Sequence, residues 1–226
     1  MRIAHQQRWN LTPRAAIAQQ QRLRKKVIPR LPQPLPSNPL VAGTDVSYDQ
    51  GSDQLFAAVV VLQLPELKIV AQATTIDRAR FPYVPGLLSF REAPALLRCF
   101  RKLACVPDVV MVDGQGLAHP RRFGLACHLG WLLELPTFGC AKSILCGSYG
   151  PLASRRGATA PLVHNQETIG VALRTRAGVQ PVYVSIGHRI DLPSAVDLAL
   201  RCAPRWRIPE PTRQAHILVN QLRLAG

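Results

Sequence analysis

Acidic residues are scarce in this chain. Asp and Glu number 13 against 28 Lys and Arg, which leaves a formal charge of +15 with His neutral. A surface so poor in negative charge concentrates polyanions around it, and nucleic acid is the commonest of these. Two blander readings stand beside that one: a basic protein that is merely well solvated, and one that touches anionic lipid. Paired cysteines are missing as well. None of Cys99, Cys105, Cys127, Cys140, Cys146 and Cys202 belongs to a C-x-x-C unit, and several sit inside apolar stretches. Buried free thiols in a reducing compartment are expected in preference to zinc ligands or disulfides. No apolar run approaches the roughly 20 residues that cross a bilayer. The stretch from Met1 to Arg14 lacks the apolar core of a signal peptide, so a cytoplasmic location with no membrane partner is expected. An apolar fraction of 47% is far too high for a disordered chain. The length is one that a single core can serve, and residues 1–226 are expected to form one domain.

Local signals divide the chain. Thr12 before Pro13 reads as a helix start, and the helix is predicted over Pro13–Ile28 with a basic end at Arg22, Arg24, Lys25 and Lys26. Residues 31–39 hold too many prolines for a helix or a central strand. They are expected to form an extended tether, so that residues 1–39 pack onto the body. Strands are predicted at Leu40–Tyr48, Gln54–Leu64 and Leu67–Ile76, with links so short that neighbours must be antiparallel. A helix at Ser89–Leu103, a buried strand at Val109–Val112, a helix at Pro120–Leu133 and a strand at Thr137–Cys140 follow. Weaker strands are predicted near Pro161–Val163, Thr168–Arg174 and Val182–Ser185, and helices near Ser194–Cys202 and Pro211–Leu224. The order β-β-β-α-β-α-β implies an α/β fold: one mixed sheet, an antiparallel meander extended by parallel strands, flanked by helices.

With acids so few, their positions carry information. Asp45 lies in the first strand and Asp113 closes the apolar run Val109–Val112. A carboxylate ending a buried strand is poorly solvated and calls for a metal or a cation. If the first strand lies beside the fourth, Asp45 and Asp113 stand together at the sheet's centre, and Glu92 on the intervening helix leans over them. Three mutually repelling carboxylates are tolerable when a hard cation screens them, and Mg²⁺ suits oxygen ligands and phosphate substrates. Read singly, Asp45 could cap a turn, Glu92 could face solvent and Asp113 could cap its loop. The turn Asp113-Gly-Gln-Gly116 offers backbone N–H groups to a ligand, a weak signal alone. Tyr83, pinned between Pro82 and Pro85, is either a stiff exposed prong or a ring packed under its own loop.

Together these segments resemble the endonuclease V family, enzymes that nick DNA or RNA near deoxyinosine or inosine. The matching blocks are Val41-Ala-Gly-Thr-Asp-Val-Ser47, Phe81-Pro-Tyr-Val-Pro-Gly-Leu-Leu-Ser-Phe-Arg-Glu92 and Val112-Asp-Gly-Gln-Gly-Leu-Ala-His-Pro-Arg121. Further matches are Gly124 through Gly130, Gly139-Cys-Ala-Lys-Ser143, Ser185-Ile-Gly-His188 and Arg207-Ile-Pro-Glu-Pro-Thr-Arg213 with His216. The resemblance implies a ribonuclease H-like fold. It implies that Asp45, Glu92 and Asp113 hold Mg²⁺, for which Mn²⁺ can substitute, with His216 close by and Lys142 near the scissile strand. It also implies that Pro82, Tyr83, Val84 and Pro85 form a wedge between bases, and that Gly86, Gly114 and Gly116 surround a pocket for the flipped base. The cut expected is the second phosphodiester 3′ of the lesion, leaving 3′-hydroxyl and 5′-phosphate ends. Val84 and Cys140 stand where Ile and Val are expected, and residues 154–157 match nothing. His5, His128, His164 and His188 could each be structural.

Two rival functions are weighed. A non-catalytic reader of damaged nucleic acid gains nothing from an intact carboxylate triad facing phosphate. An enzyme for hybrids or junctions needs neither the wedge nor the glycine pocket. A monomer acting on DNA, and on RNA if 2′-hydroxyls are tolerated, is the expectation.

Overall fold

The computed structural model describes residues 1–49 and 51–225; Gln50, in the first strand link, and Gly226 lie outside the described residues. Short links and apolar alternation produce the meander β1 (Leu40–Tyr48), β2 (Gln54–Gln63) and β3 (Lys68–Arg78), and β2 is buried along nearly its whole length. Next come α2 (Leu88–Lys102), β4 (Val109–Val112), α3 (Leu125–Leu133) and β5 (Thr137–Ala141), after an N-terminal α1 (Pro13–Leu23). Strands β6 (Ser148–Tyr149), β7 (Thr159–His164), β8 (Glu167–Leu173) and β9 (Val182–His188) precede α4 (Leu192–Arg201) and α5 (Glu210–Ala225). The strands form one sheet in the order β3-β2-β1-β4-β5-β9-β8-β7-β6. β1 runs antiparallel to β2 and parallel to β4, and β5 is parallel to β4. This is the ribonuclease H-like mixed sheet predicted.

Two helical layers cover the sheet, and strand alternation assigns each residue to one of them. Ala42, Val110 and Val112 pack with Ala93, Leu96 and Phe100 of α2 and Leu125 and Leu129 of α3. Val41, Val109 and Met111 pack with Ala195, Leu198 and Ala199 of α4. Each large apolar side chain fully buried this way contributes about 1.5–3 kcal/mol. Asp45 shares the parity of Val41 and projects to the side of α4 and α5, where His216 of α5 meets it, whereas Asp113 follows the end of β4. Tyr48 has the parity of Ala42 and points to α2. Gly43 allows α5 to approach closely, since a Cβ there would overlap the Pro211 carbonyl.

Two helix boundaries shift most from the sequence reading, and one strand is new. The helix predicted from Pro120 begins at Leu125, because Arg122 takes a positive φ of 54° and the Gly124 N–H bonds the Gly116 carbonyl. α1 stops at Leu23 and tightens into a 3₁₀ turn over Arg24–Lys26, and Ile28 N–H goes instead to His188 Nδ1. Two-residue β6 shows no pattern in the sequence. Thr12 caps α1 as predicted, its hydroxyl accepting from Ala15 N–H at 3.3 Å. The proline-rich stretch runs along the body, with Leu31 and Leu35 against the α4-side core. All six cysteines are free thiols, four of them buried. Among the described residues no helix is long and apolar enough to cross a membrane.

Candidate active site

The parallel register sets Thr44 against Val112, which leaves Asp45 and Asp113 side by side just beyond the paired residues. Asp113 N–H reaches the Thr44 carbonyl at 3.4 Å. Glu92 comes from α2 on the opposite face and is 7% exposed. Its carboxylate accepts a 2.9 Å hydrogen bond from the Tyr48 hydroxyl. Burial pushes the Glu92 carboxyl up to about 8, and the nearby charges of Asp45 and Asp113 add to that against the pull of Tyr48. Asp45 is held up to about 6, by burial first and Asp113 second, opposed by His216 and Lys142. The structure thus brings Glu92 within reach of the charges of Asp45 and Asp113.

Each acid has a partner. Lys142 Nζ lies 2.5 Å from Asp113 Oδ2, and His216 Nδ1 lies 2.8 Å from Asp45 Oδ2. A carboxylate can only accept, so His216 donates through Nδ1–H while Nε2 accepts from the Asn220 amide at 3.0 Å. Among the described residues no three His, Cys, Asp or Glu side chains already converge as a coordination cage, because each acid is turned onto its own donor. The donor set still fits a hard cation: carboxylates only, with Asp113 raising the proton affinity of Asp45 and Glu92, and a cation would relieve the same repulsion.

On the α2 side of these acids opens a cavity of about 350 Å³, a size typical of small-ligand sites. Pro85, Gly86 and Leu88 wall one side, Gly114 and Gln115 the floor, and Asp113 and Lys142 also line it. Tyr83 is 73% exposed at its mouth, so of the two readings of that ring the prong is the one found. Gly86 takes a φ of +77°, and its carbonyl is gripped by Gln20 Nε2 at 3.0 Å, His119 Nε2 at 3.0 Å and Arg121 Nη2 at 2.6 Å. His119 is lowered to about 4, chiefly by burial and then by Arg121, so it is a neutral ring with its proton on Nε2. Its Nδ1 then accepts the Arg121 N–H at 3.1 Å. Gly116 stays outside the cavity. A Cβ on it would overlap the Ile186 carbonyl, and its N–H donates to Ser185 Oγ at 2.9 Å, so it fits the turn to β9. A larger cavity of about 420 Å³ lies beside Trp9 and Arg80, and its one acid, Asp77, is paired with Arg98 at 3.0 Å.

Tyr48, Gln20, His119 and Arg121 were not singled out from the sequence. Strand parity could have found Tyr48, since it faces α2 as Glu92 faces it; Gln20 had no signal. His128 is buried, lowered to about 3 and bonded to Ser89 and Gln7, which makes it a core residue. His188 is buried beside Glu134, and His5 stacks on Trp131. His164 meets the Arg122 guanidinium.

Known proteins match this arrangement over nearly its whole length. The family model described as endonuclease V covers residues 21–217. The endonuclease V of Myxococcus xanthus is 52% identical over 96% of this chain and 92% of its own. The crystal structure of the Streptomyces avermitilis endonuclease V superposes with a TM-score of 0.92 at 47% identity, over 96% of both chains. That of Ciona intestinalis, solved with a 24mer DNA containing an inosine followed by a ribo-adenosine, gives 0.79 at 28% identity over 92% of this chain and 96% of its own. The chain therefore belongs to the endonuclease V family, endonucleases of deaminated-purine repair.

Proposed function

We propose that this chain uses Mg²⁺ to hydrolyse the second phosphodiester 3′ of a deoxyinosine in DNA, leaving 3′-hydroxyl and 5′-phosphate ends. The observation that carries this is the cavity opening directly onto Asp113 and Lys142, so that a base seated there brings its own strand to the carboxylates. Asp45, Asp113 and Glu92 would hold the ion, and Mn²⁺, also satisfied by carboxylates, would substitute. When bound, the ion supplies an activated water and a stabilised leaving oxygen. Lys142 then neutralises charge on the phosphate, and His216 keeps the Asp45 carboxylate oriented. Pro82, Tyr83, Val84 and Pro85 act as the wedge, and Gly86 and Gly114 border the base. Every group in this centre comes from one copy of the chain, so we read the working unit as a monomer, with residues 1–39 as an integral brace of one domain.

The direct test is a set of matched DNA strands, with and without one deoxyinosine, incubated with and without Mg²⁺. Nicking confined to the inosine strand plus Mg²⁺ is expected, and equal nicking of the undamaged strand defeats the reading. Inosine-containing RNA of the same sequence measures how far 2′-hydroxyls are tolerated.

Tyr83 is expected to fill the gap left in the stack. An aromatic face recovers part of the unstacking cost, about 1–3 kcal/mol per base. Tyr83→Ala should weaken binding of an inosine duplex by roughly tenfold and binding of the same lesion in a single strand far less. Titration of both DNAs checks this, and equal losses mean that Tyr83 does not act as a wedge.

A further inference from the structure

Asp45 and Asp113 stand where the β1–β4 pairing ends, between the cavity on the α2 side and the α4–α5 face. A strand whose lesion sits in the cavity and whose scissile phosphate reaches these acids must continue over the α4–α5 face. Two residues there have no role in the site described so far. Trp206, in the loop joining α4 to α5, is 48% exposed. The Arg213 guanidinium lies 5.5 Å from its ring centroid. Glu210 Oε2 accepts from Arg213 Nε at 3.0 Å and Nη2 at 2.8 Å, which fixes the fork and leaves Nη1 unengaged by that carboxylate.

This platform is tied to the catalytic edge on both sides. Arg213 lies one turn before His216 on α5, so the two share a helix face, and His216 bonds Asp45. Beside Trp206, Arg207 donates through Nη2 to the Lys142 carbonyl at 2.7 Å and the Pro181 carbonyl at 2.9 Å, and through Nε to the Gln180 carbonyl at 2.9 Å. The loop that carries Trp206 is thus anchored to the residue whose ammonium pairs with Asp113. An exposed indole with a cation on one side, fixed next to phosphate chemistry in a basic protein, is the arrangement that stacks a base and contacts its phosphate.

We infer that Trp206 and Arg213 form a subsite for the nucleotide on the 3′ side of the scissile phosphate, the indole stacking on its base and Arg213 Nη1 reaching its phosphate. This rests on the proposed function and adds the path of the leaving strand. It also gives the loop a share in substrate affinity that is independent of the lesion.

The test uses two single-stranded inosine substrates with the same 5′ side. They have the same length and differ only at the first nucleotide 3′ of the scissile phosphate, which carries a base in one and is abasic in the other. For the wild-type chain, the base at that position is expected to raise kcat/KM by about five- to tenfold over the abasic strand, mainly through KM. Trp206→Ala should cut that gain below about twofold, and Trp206→Phe, which keeps an aromatic face, should restore most of it. A fold defect lowers both substrates together and does not move the ratio. A full gain retained by Trp206→Ala overturns the subsite while leaving the enzyme's function standing. No cleavage of either inosine strand by the wild-type chain overturns the functional reading and the subsite with it. A ratio that falls equally in Trp206→Ala and Trp206→Phe overturns the stacking role.

Discussion

Asp113→Asn is expected to abolish nicking of inosine DNA, by about a thousandfold or more, while the lesion is still bound. The size follows from the chemistry asked of the site: a hard cation contributes several kcal/mol to phosphodiester cleavage, and each 1.36 kcal/mol is a factor of ten in rate. An amide keeps the shape of the side chain and loses the charge that would hold the ion. The substitution also takes from the Lys142 ammonium the negative charge it pairs with at 2.5 Å. A second readout distinguishes an electrostatic centre from a mere structural cap. Asp113 is among the causes that raise Asp45 and Glu92. Removing its negative charge must lower both carboxyls toward their ordinary range, so their protons come off at lower pH in the variant. Carboxyl titration by NMR without added metal measures this, alongside single-turnover cleavage in Mg²⁺. Near-wild-type nicking by Asp113→Asn, or unchanged titration of Glu92, removes Asp113 from the centre.

The elements that place these acids were legible because they rest on periodicity and on short links. β1 and β4 occupy the predicted residues, and two-sided burial of Val109–Val112 left Asp113 as the first residue able to reach the edge. Adjacency of β1 and β4 then brought Asp45 and Asp113 together, and alternation within β1 turns Tyr48 to the α2 side. The start of α3 was misread because Pro120 carries a strong helix-start signal. What outweighs it is tertiary: Gly124 packs so closely on Gln115 that a Cβ would overlap its carbonyl, and the chain must turn there before it can coil. Gly116 joins the pocket glycines only by family resemblance, and here too tertiary packing decides otherwise. A glycine needed for a ligand and a glycine needed for packing look alike until the neighbour, here Ile186, is known. The grip on Gly86 joins residues 20, 86, 119 and 121, and separations of 33 to 66 residues from Gly86 leave no local pattern to read.

Gly86→Ala is expected to lower kcat/KM on inosine duplex by about 10- to 100-fold, with binding to undamaged duplex changed less than about twofold. The lower bound comes from the backbone: a φ of +77° costs a residue with a Cβ about 1–3 kcal/mol. The rest comes from the clamp, because a Cβ at Gly86 would lie 2.6 Å from Arg121 Nη2 and push away a donor that holds the Gly86 carbonyl. The wedge and the first turn of α2 would shift together. That turn borders the cavity in which the base is proposed to sit. Leu88 and Ser89 open α2 on the cavity wall, Leu87 before them makes no side-chain cap, and the first N–H groups of a helix lack acceptors within it. An N–H aimed at the C6 oxygen of hypoxanthine is satisfied by it, whereas the C6 amino group of adenine leaves that N–H unpaired at about 1–3 kcal/mol. Guanine shares the oxygen, so only contact with its 2-amino group can exclude it, and loosening the Gly86 wall should relax that exclusion first. Cleavage of inosine, guanosine and adenosine strands by wild-type and Gly86→Ala proteins should therefore show the inosine-to-guanosine ratio falling more than the inosine-to-adenosine ratio. Gly116→Ala is the comparison: its Cβ meets the Ile186 carbonyl, so it should lower the melting temperature and leave both ratios near wild type in the folded fraction. If wild-type protein cuts guanosine as fast as inosine in one sequence context, or if Gly116→Ala shifts the ratios as far as Gly86→Ala does, the Gly86 wall does not choose the base.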